Sequence, residues 1–278
     1  MSGQALLGFE TSALPETLET TFADPAGNGI ITYYFEIDFD LNAAQVANLD
    51  RLLLRHVIDD GAVVLIGGFG SAGSPVELVH ALIDQGTKNL VVVSNDTGNG
   101  QVGLAALIAS GQVRKMICSY PRSTFSKVFP EMYRAGRIEL ELVPQGTLAE
   151  RLRAGAAGIP AFYTPTAAGT PLAEGKEVRE FGGREYVMER ALKGDFALVR
   201  CDTADRMGNL TYNKTARNFG PVMCMAAQTT IVQARRVVAP GEIDPEHVVT
   251  PGIFVDRVVS IAEPLQESTL IAEERSYP

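Results

Sequence analysis

The chain has 278 residues, a length that suits one large α/β domain or two smaller ones. Apolar residues make up 46% of it, an ordinary share for a globular protein and too high for a disordered one. The net charge is -9 with both signs interspersed, so the sequence lacks the basic face that a nucleic-acid partner requires.

Cysteines and histidines indicate neither disulfides nor a metal site. The three cysteines are an odd number without metal-site spacing, and the three histidines lie far apart. Isolated thiols favour a reducing compartment. No apolar run approaches the ~20 residues of a membrane span, and the N-terminus lacks the basic start and apolar core of a signal peptide. We therefore expect a soluble, cytoplasmic protein with no membrane partner.

Residues 1–45 form an N-terminal extension to which the sequence assigns no role. Alternating apolar residues predict one strand in 31–39. Apolar residues at helical spacing then predict a helix over 41–60, with Asn42 as its cap.

Apolar strands and helices alternate through the next part of the chain. The predicted strands are 62–67, 89–95, 113–120 and 138–146, and the predicted helices are 74–86, 102–111, 123–136 and 147–158. In the first helix Ser74 is the expected cap, Pro75 lies in the first turn and Gly86 ends the helix. Pro130 must start or kink the third helix.

The second half of the chain is richer in strands. Residues 179–189 predict a hairpin around Gly182 and Gly183. Further strands are predicted in 196–205, 208–214, 229–238 and 252–259. Continuous apolar strands that alternate with helices indicate an α/β fold with an open, largely parallel sheet flanked by helices. Because no repeat or linker interrupts them, residues 46–278 are predicted to form a single domain.

A glycine-rich loop, GGFGSAG at 67–73, follows a strand and leads into a helix. Ligands of parallel sheets gather at the carboxyl ends of strands. Glycine permits a close approach, and the helix N-terminus adds unpaired N–H groups, so the loop suits an anionic or oxyanionic group. A purely structural turn is the alternative. No Gly-Lys-Ser/Thr follows as in a Walker loop, and SND replaces the acid of a dinucleotide fingerprint.

The pattern around this loop runs from Asp60 to Pro75. Asp60 and Gly61 precede two free positions, three apolar residues, Gly-Gly-Phe, three free positions, Gly, one free position and Pro. This pattern resembles the signature of the class I CoA-transferases of the α-subunit type, and implies their fold. Similar stretches extend the resemblance over about residues 45 to 260: 94–115, 141–155, 162–170 and 208–221.

The resemblance implies ping-pong chemistry, in which a glutamate attacks an acyl-CoA thioester and then carries CoA as a glutamyl thioester. In the family this glutamate lies in a Ser-Glu-Asn-Gly motif of the β subunit, and the chain has no such motif. Glu174 in the polar turn AEGKE is a poor substitute, as are the acids of a C-terminal tail that we expect to fray. The resemblance therefore implies a partner β subunit in an α₂β₂ assembly, CoA as a substrate carrier, no tightly bound cofactor and no metal.

The main candidate for catalysis in this chain is Gln145, at the end of the strand over 138–146. It matches the family's oxyanion-hole glutamine, and its neutral amide can stabilise an oxyanion without binding the glutamate. A helix cap is the alternative. The family uses the glycine loop for CoA binding, and we expect it to line the acyl pocket. The loop residues are Gly67, Gly68, Phe69, Gly70, Ser71, Ala72 and Gly73.

Four further residues are candidates for the substrate pocket. Asn95 should lie beside the glycine loop, with a plain turn residue as the alternative. Arg122 in SYPRS is a candidate for binding a remote substrate carboxylate. Arg217 and Asn218 in TARNFG are candidates as well, although an ordinary salt bridge is an alternative for Arg217.

Residues 94–146 look closest to α subunits that act with succinyl-CoA and 3-oxoadipate, and residues 162–170 resemble acetoacetate-type enzymes about as well. The resemblance therefore implies a 3-oxo acid acceptor, with 3-oxoadipate as first choice and acetoacetate as second. Two other classes remain as alternatives. One is a CoA-thioester hydrolase or lyase subunit, and the other is a sugar-phosphate isomerase or binding protein of the same superfamily.

Overall fold

The computed structural model of this chain describes residues 33–35, 58–123 and 125–278. The helix predicted over 41–60 lies almost wholly outside these ranges. Only the middle of the strand predicted in 31–39 lies inside them, and it is extended.

Twelve strands and six α-helices occur in these described ranges. The strands are β1 Tyr33–Phe35, β2 Val63–Ile66, β3 Leu90–Val93, β4 Val113–Cys118, β5 Glu139–Leu142, β6 Ala161–Thr164, β7 Val178–Phe181, β8 Arg184–Arg190, β9 Gly194–Asp205, β10 Leu210–Thr211, β11 Ala227–Val238 and β12 Arg257–Ser260. The helices are α1 Val76–Gln85, α2 Gly103–Ala109, α3 Val128–Arg134, α4 Gln145–Ala156, α5 Gly220–Ala226 and α6 Glu267–Ala272.

Nine of these strands form one sheet in the order β1-β12-β11-β9-β2-β3-β4-β5, with β10 beside β9. Every pairing is parallel except that of β10 with β9. The other three strands form a small antiparallel sheet in which β7 and β8 are the hairpin predicted around Gly182 and Gly183. The predicted open, largely parallel sheet and the strand-rich second half are both confirmed.

Helices cover both faces of the main sheet, and the strands β2 and β3 between them are apolar at every position. Successive side chains of a strand point to opposite faces. Val64 and Ile66 of β2 therefore pack on one face with α1, α2 and α3. Leu65 packs on the other face with α4 and α5. The continuous apolar runs in the sequence thus correspond to two cores, one on each side of the sheet.

The strand predicted over 208–214 is wrong for most of its length. Only Leu210–Thr211 is extended, as the short strand β10 beside β9. Lys214 has a positive φ of 51° and begins a 3-10 helix that ends at Arg217. A left-handed backbone cannot continue a strand, so the chain turns away from the sheet there.

The strand predicted over 252–259 is confirmed only in its second part, which belongs to β12. Its first part, Gly252–Phe254, forms a 3-10 turn. Gly252 lies so close to Met207 that an added Cβ would be 1.9 Å from the Met207 carbonyl oxygen. Packing between two turns therefore overrides the apolar pattern at this point.

The cap of helix α1 is one residue later in the chain than predicted. Pro75 takes the cap position expected for Ser74, and no side chain caps the helix. The N–H of Leu78 instead donates to Oε1 of Gln233 in β11 at 3.4 Å. Gly86 ends the helix in the left-handed conformation, as predicted.

Helices α3 and α4 also begin at other residues than predicted. α3 begins at Val128, well after the start of the helix predicted over 123–136. Pro130 lies in its first turn, where a missing N–H removes no helical hydrogen bond, so the helix accommodates it. α4 begins at Gln145, two residues before the predicted start at Thr147.

The end of the chain does not fray, and that prediction is wrong. Helix α6 packs Leu270 against Val76 and Val102 in a small apolar cluster. Beyond the helix, the N–H of Tyr277 donates to the carbonyl of Gln101 at 2.9 Å. These contacts join residues that are far apart in sequence, so no local pattern could show them.

Gly73 is a position where only glycine fits, for two separate reasons. Its φ is +74°, a left-handed value that disfavours any side chain. An added Cβ would also lie 2.5 Å from the carbonyl oxygen of Ala216, which is backbone and cannot swing aside. The contact holds the loop after β2 against the 3-10 helix over 214–217.

We expect Gly73→Ala to lower the free energy of unfolding in urea by about 3 kcal/mol, from the left-handed backbone together with overpacking. Gly86→Ala is the matched control, because Gly86 has a φ of +76° with nothing within 4 Å of an added Cβ. It should cost only about 1 kcal/mol. Equal losses in the two variants would contradict the contact with Ala216.

Candidate functional site

Three loops meet at the carboxyl-terminal edge of the main sheet, after β2, β3 and β4, and the start of α4 joins them. Together they surround a cavity of about 240 Å³, which we call the loop cavity. Small and polar residues dominate its lining, which consists of Phe69, Gly70, Asn95, Asp96, Thr97, Gly98, Asn99, Tyr120, Ser123, Ser126 and Gln145. Residues predicted from three separate parts of the sequence are thus brought together here.

The glycine loop, residues 67–73, folds back on itself at this cavity. The N–H of Phe69 donates to the carbonyl of Ala72 at 3.0 Å, and the N–H of Ala72 donates back to Phe69 at 3.1 Å. Gly70, inside this turn, has a φ of +55°. The turn leaves the Phe69 ring 49% exposed. The loop therefore offers backbone and one apolar ring to the cavity.

Asp96 ties the glycine loop to the loop after β3. Its Oδ2 accepts the N–H of Gly70 at 2.8 Å and the side-chain amide of Asn95 at 3.3 Å. Its Oδ1 accepts the N–H of Gly98 at 3.0 Å. Asp96 was not among the residues predicted from the sequence, although its position directly after Asn95, at the end of a buried strand, was a usable signal.

Asn95 and Gln145 are in direct contact. Nε2 of Gln145 donates to Oδ1 of Asn95 at 2.7 Å, and the same oxygen accepts the Ser119 hydroxyl at 2.9 Å. Gln145 is the first residue of α4, and no side chain caps that helix. An amide nitrogen carries two N–H groups, so Gln145 keeps one for a ligand in the loop cavity.

A second cavity, of about 580 Å³, adjoins the loop cavity and shares two serines with it. We call it the basic cavity, and its lining consists of Arg122, Ser123, Ser126, Lys127, Pro130, Glu131 and Arg134. Its three basic side chains form no ion pair with any residue that the structure describes. Positive charge therefore dominates this cavity, and Arg122 is beside the loop cavity rather than in it.

Asn218 lies behind the glycine loop. Its Oδ1 accepts the N–H of Gly68 at 3.2 Å, and its Nδ2 donates to the carbonyl of Ala72 at 2.9 Å. Arg217 ends the preceding 3-10 helix, and neither residue lines either cavity. Their role in a substrate pocket stays a prediction, while the contacts show Asn218 bracing the loop.

The three cysteines are free and buried, as predicted for isolated thiols. Burial raises the pKa of the Cys118 and Cys224 thiols to about 12 each, and raises the pKa of Cys201 well above its ordinary value. Thiols with such values stay protonated near neutral pH and are poor nucleophiles. Glu174 is exposed in a turn and lies outside the loop cavity.

Two other kinds of feature are absent from the described ranges. No group of three or more His, Cys, Asp or Glu there could hold a metal ion. Within the same ranges no helix has both the length and the apolar character needed to cross a membrane.

Comparison with known proteins identifies the family. The Coenzyme A transferase family profile matches residues 53–260. The chain is 58% identical over 205 residues to the A-type subunit of the 3-oxoadipate CoA-transferase of Pseudomonas putida, covering 74% of this chain and 89% of that protein. It is 52% identical over 203 residues to the A-type subunit of the probable succinyl-CoA:3-ketoacid coenzyme A transferase of Bacillus subtilis (strain 168), covering 73% and 84%. Both names specify one subunit of an enzyme and so imply a second.

A solved structure supports the fold independently. The acyl-CoA transferase of Escherichia coli O157:H7 has a TM-score of 0.70 to this chain at 24% identity, covering 78% of this chain and 47% of that one. At that identity the similarity shows the fold alone. The family profile and the two relatives cover most of this chain, and on that ground the chain belongs to the coenzyme A transferase family.

Proposed function

We propose that the chain is the α-type subunit of a CoA-transferase that moves CoA from succinyl-CoA to a 3-oxo acid. The first choice of acceptor is 3-oxoadipate, named in the P. putida relative, and acetoacetate is second. The nucleophilic glutamate belongs to a partner β subunit in an α₂β₂ assembly, and CoA is a substrate carrier. The enzyme acts in the cytoplasm, where its free thiols stay reduced.

The composition of the loop cavity is the observation that carries this proposal. Asp96 is the one carboxylate among its described lining residues, and both of its oxygens already accept N–H groups. Asn95 and Gln145 supply neutral amides instead. A cavity with neutral donors and no free carboxylate suits a carboxylate that enters from another subunit. On this proposal, the glycine loop and Phe69 form the wall against the acyl group and CoA.

Each half-reaction passes through a tetrahedral oxyanion. A carboxylate oxygen of the partner's glutamate bonds to the thioester carbonyl carbon, and the C–S bond breaks to release CoA thiolate and an acyl–glutamyl anhydride. The thiolate then attacks the glutamyl carbonyl, which releases succinate and leaves a glutamyl-CoA thioester. The 3-oxo acid carboxylate repeats these steps in reverse. An oxyanion donor contributes about 3–4 kcal/mol in such reactions. Asn95 orients the side-chain amide of Gln145, and this supports Gln145 as the donor.

The basic cavity favours an acceptor with a second carboxylate. 3-Oxoadipate has one at its far end, and acetoacetate has none. Arg122 and Lys127 are each next in sequence to a serine that lines both cavities. Of the two, the planar guanidinium of Arg122 matches a carboxylate with two parallel hydrogen bonds. A hydrogen bond to a charged group contributes about 1.5–3 kcal/mol. We therefore assign Arg122 to the distal carboxylate of the acceptor.

The first experiment measures CoA transfer from succinyl-CoA to 3-oxoadipate and to acetoacetate. It compares the chain alone with the chain co-expressed with the neighbouring gene product. We expect transfer only in the co-expressed sample, because the nucleophile is absent from this chain. Transfer by the chain alone would contradict the proposal that the nucleophilic glutamate lies on a partner subunit. Release of free CoA without an acceptor would favour a thioester hydrolase.

Gln145→Ala should lower kcat of the assembled enzyme by about 10²–10³, because one oxyanion donor is lost. KM for succinyl-CoA should change little, since the donor acts in the transition state. Gln266→Ala is the control, as that exposed side chain bonds only the nearby carbonyl of Pro264. A kcat within threefold of wild type for Gln145→Ala would remove Gln145 from the mechanism.

Arg122→Gln should lower kcat/KM for 3-oxoadipate at least tenfold more than kcat/KM for acetoacetate, from the loss of a charged hydrogen bond. Both acceptors use the same succinyl-CoA half-reaction, so any damage to that step cancels in the ratio. Arg134→Gln removes an equal charge from the far end of α3 and should affect both acceptors alike. If Arg122→Gln also affects both alike, it has no role in acceptor choice.

A further inference from the structure

The C-terminal segment, residues 265–278, forms a wall behind the loops that line the site. It lies beyond the region that the family profile matches, residues 53–260. Helix α6 packs against the loop after β3, where an added Cβ on Gly100 would lie 2.9 Å from Ile271. Farther on, the ring of Tyr277 stacks on His80 with 3.7 Å between centroids. The segment therefore contacts both the loop after β3 and helix α1.

Glu267 in this segment has a buried carboxyl group without full hydrogen bonding. The residue is 2% exposed, and its Oε2 has no hydrogen-bond partner. The Ser71 side chain, from the glycine loop, and the backbone N–H of Asn99, from the loop after β3, face the carboxyl group. Glu267 thus lies between two of the loops that surround the loop cavity, although it does not line the cavity itself.

Asp96 is the charged group whose negative charge acts on Glu267 and helps to raise the pKa of its carboxyl group. His80 approaches the same place from α1, because its Nε2 accepts the N–H of Gly103 at 2.9 Å. Burial lowers the pKa of His80 to about 4, so its ring is neutral near pH 7 and supplies no compensating charge.

Two more charged groups contact the beginning of the C-terminal segment. Glu77 of α1 accepts the N–H of Leu265 at 2.5 Å, and Arg200 of β9 donates to the Leu265 carbonyl at 3.0 Å.

Burial raises the pKa of Glu267 to about 7, and the negative charge of Asp96 acts in the same direction. The Asn99 N–H and the Ser71 side chain oppose this shift.

We propose that Glu267 is a positioning residue whose neutral carboxyl group holds the glycine loop against the loop after β3. A neutral carboxyl group can be buried beside Asp96, whereas a second carboxylate there would be an uncompensated charge. Asp96 binds the N–H of Gly70, so repulsion between the two acids would act directly on the glycine loop. The consequence for catalysis rests on the proposed function, because it requires the loop cavity to be the transferase site.

The sign of the pH dependence follows from the two states of the chain. An unfolded glutamate loses its proton near pH 4.5, and in the folded chain Glu267 loses it near pH 7. Between these values the folded chain binds the additional proton. The contribution of Glu267 to stability is therefore fully present below pH 4.5 and is lost as the pH rises to about 7. Above that pH the buried carboxylate strains the contact between the loops.

The first test needs no substrate and uses the full chain. Glu267→Gln keeps a neutral side chain at every pH. From pH 5 to pH 8 the Tm of wild type should therefore fall by roughly 5 °C relative to the Tm of Glu267→Gln. Glu273→Gln, exposed at the end of the same helix, should follow wild type throughout. A difference between Glu267→Gln and wild type that does not change with pH would overturn the proposal.

Hydrogen exchange of wild type gives a readout that does not depend on a variant folding. After correction for intrinsic rates, peptides that cover residues 67–73 should exchange faster at pH 8 than at pH 6. In Glu267→Gln their protection should stay constant. A wild-type loop whose protection is equal at both pH values would overturn the proposal.

The second test uses the complex with the partner subunit. Between pH 6 and pH 8.5, kcat of wild type should fall at least threefold relative to Glu267→Gln, and Glu273→Gln should match wild type. Superimposable profiles for Glu267→Gln and wild type would overturn the positioning role. A complex without transferase activity would overturn the proposed function, and the Tm and exchange results would then decide on Glu267 by themselves.

Discussion

The hydrogen bonds of one carboxylate, Asp96, determine the geometry of the site. Its oxygens accept N–H groups from Gly70, Asn95 and Gly98, and so join the loops after β2 and β3. Hydrogen bonds to a charged group contribute about 1.5–3 kcal/mol each. Asn95 in turn accepts the amide of Gln145. A shift of Asp96 would therefore move the glycine loop and both amides together.

The two cavities differ in charge: neutral donors line the loop cavity, and basic side chains line the basic cavity. Both oxygens of Asp96 already accept N–H groups. The side-chain donors of the loop cavity are neutral amides and hydroxyl groups. A cation among them would pair with an incoming carboxylate and weaken it as a nucleophile. The cations lie next door, where Arg122, Lys127 and Arg134 line the basic cavity. On the proposed function, reaction and anion binding take place in adjoining but separate cavities.

Local sequence patterns predicted what depends on local physics. The apolar runs indicated the parallel sheet, and since parallel strands end at one edge, Asn95 was expected beside the glycine loop, whereas Gln145 was chosen from the family resemblance. The patterns failed where distant packing decides. Gly252 turns because it touches Met207, and Leu265 is fixed by Glu77, 188 positions away. The burial of Glu267 also follows from contacts between distant residues. The acidic and polar residues around it in the sequence had suggested an exposed tail.

The position of Glu267 has a consequence for how members of such a family can differ. The cavity residues lie within the matched region, residues 53–260, and the C-terminal segment lies outside it. This segment still contacts the loop after β3 through Ile271 and Tyr277. Packed interiors transmit small displacements because they contain few voids. Changes in a segment beyond the shared region can therefore adjust the glycine loop without altering any residue that lines the cavity.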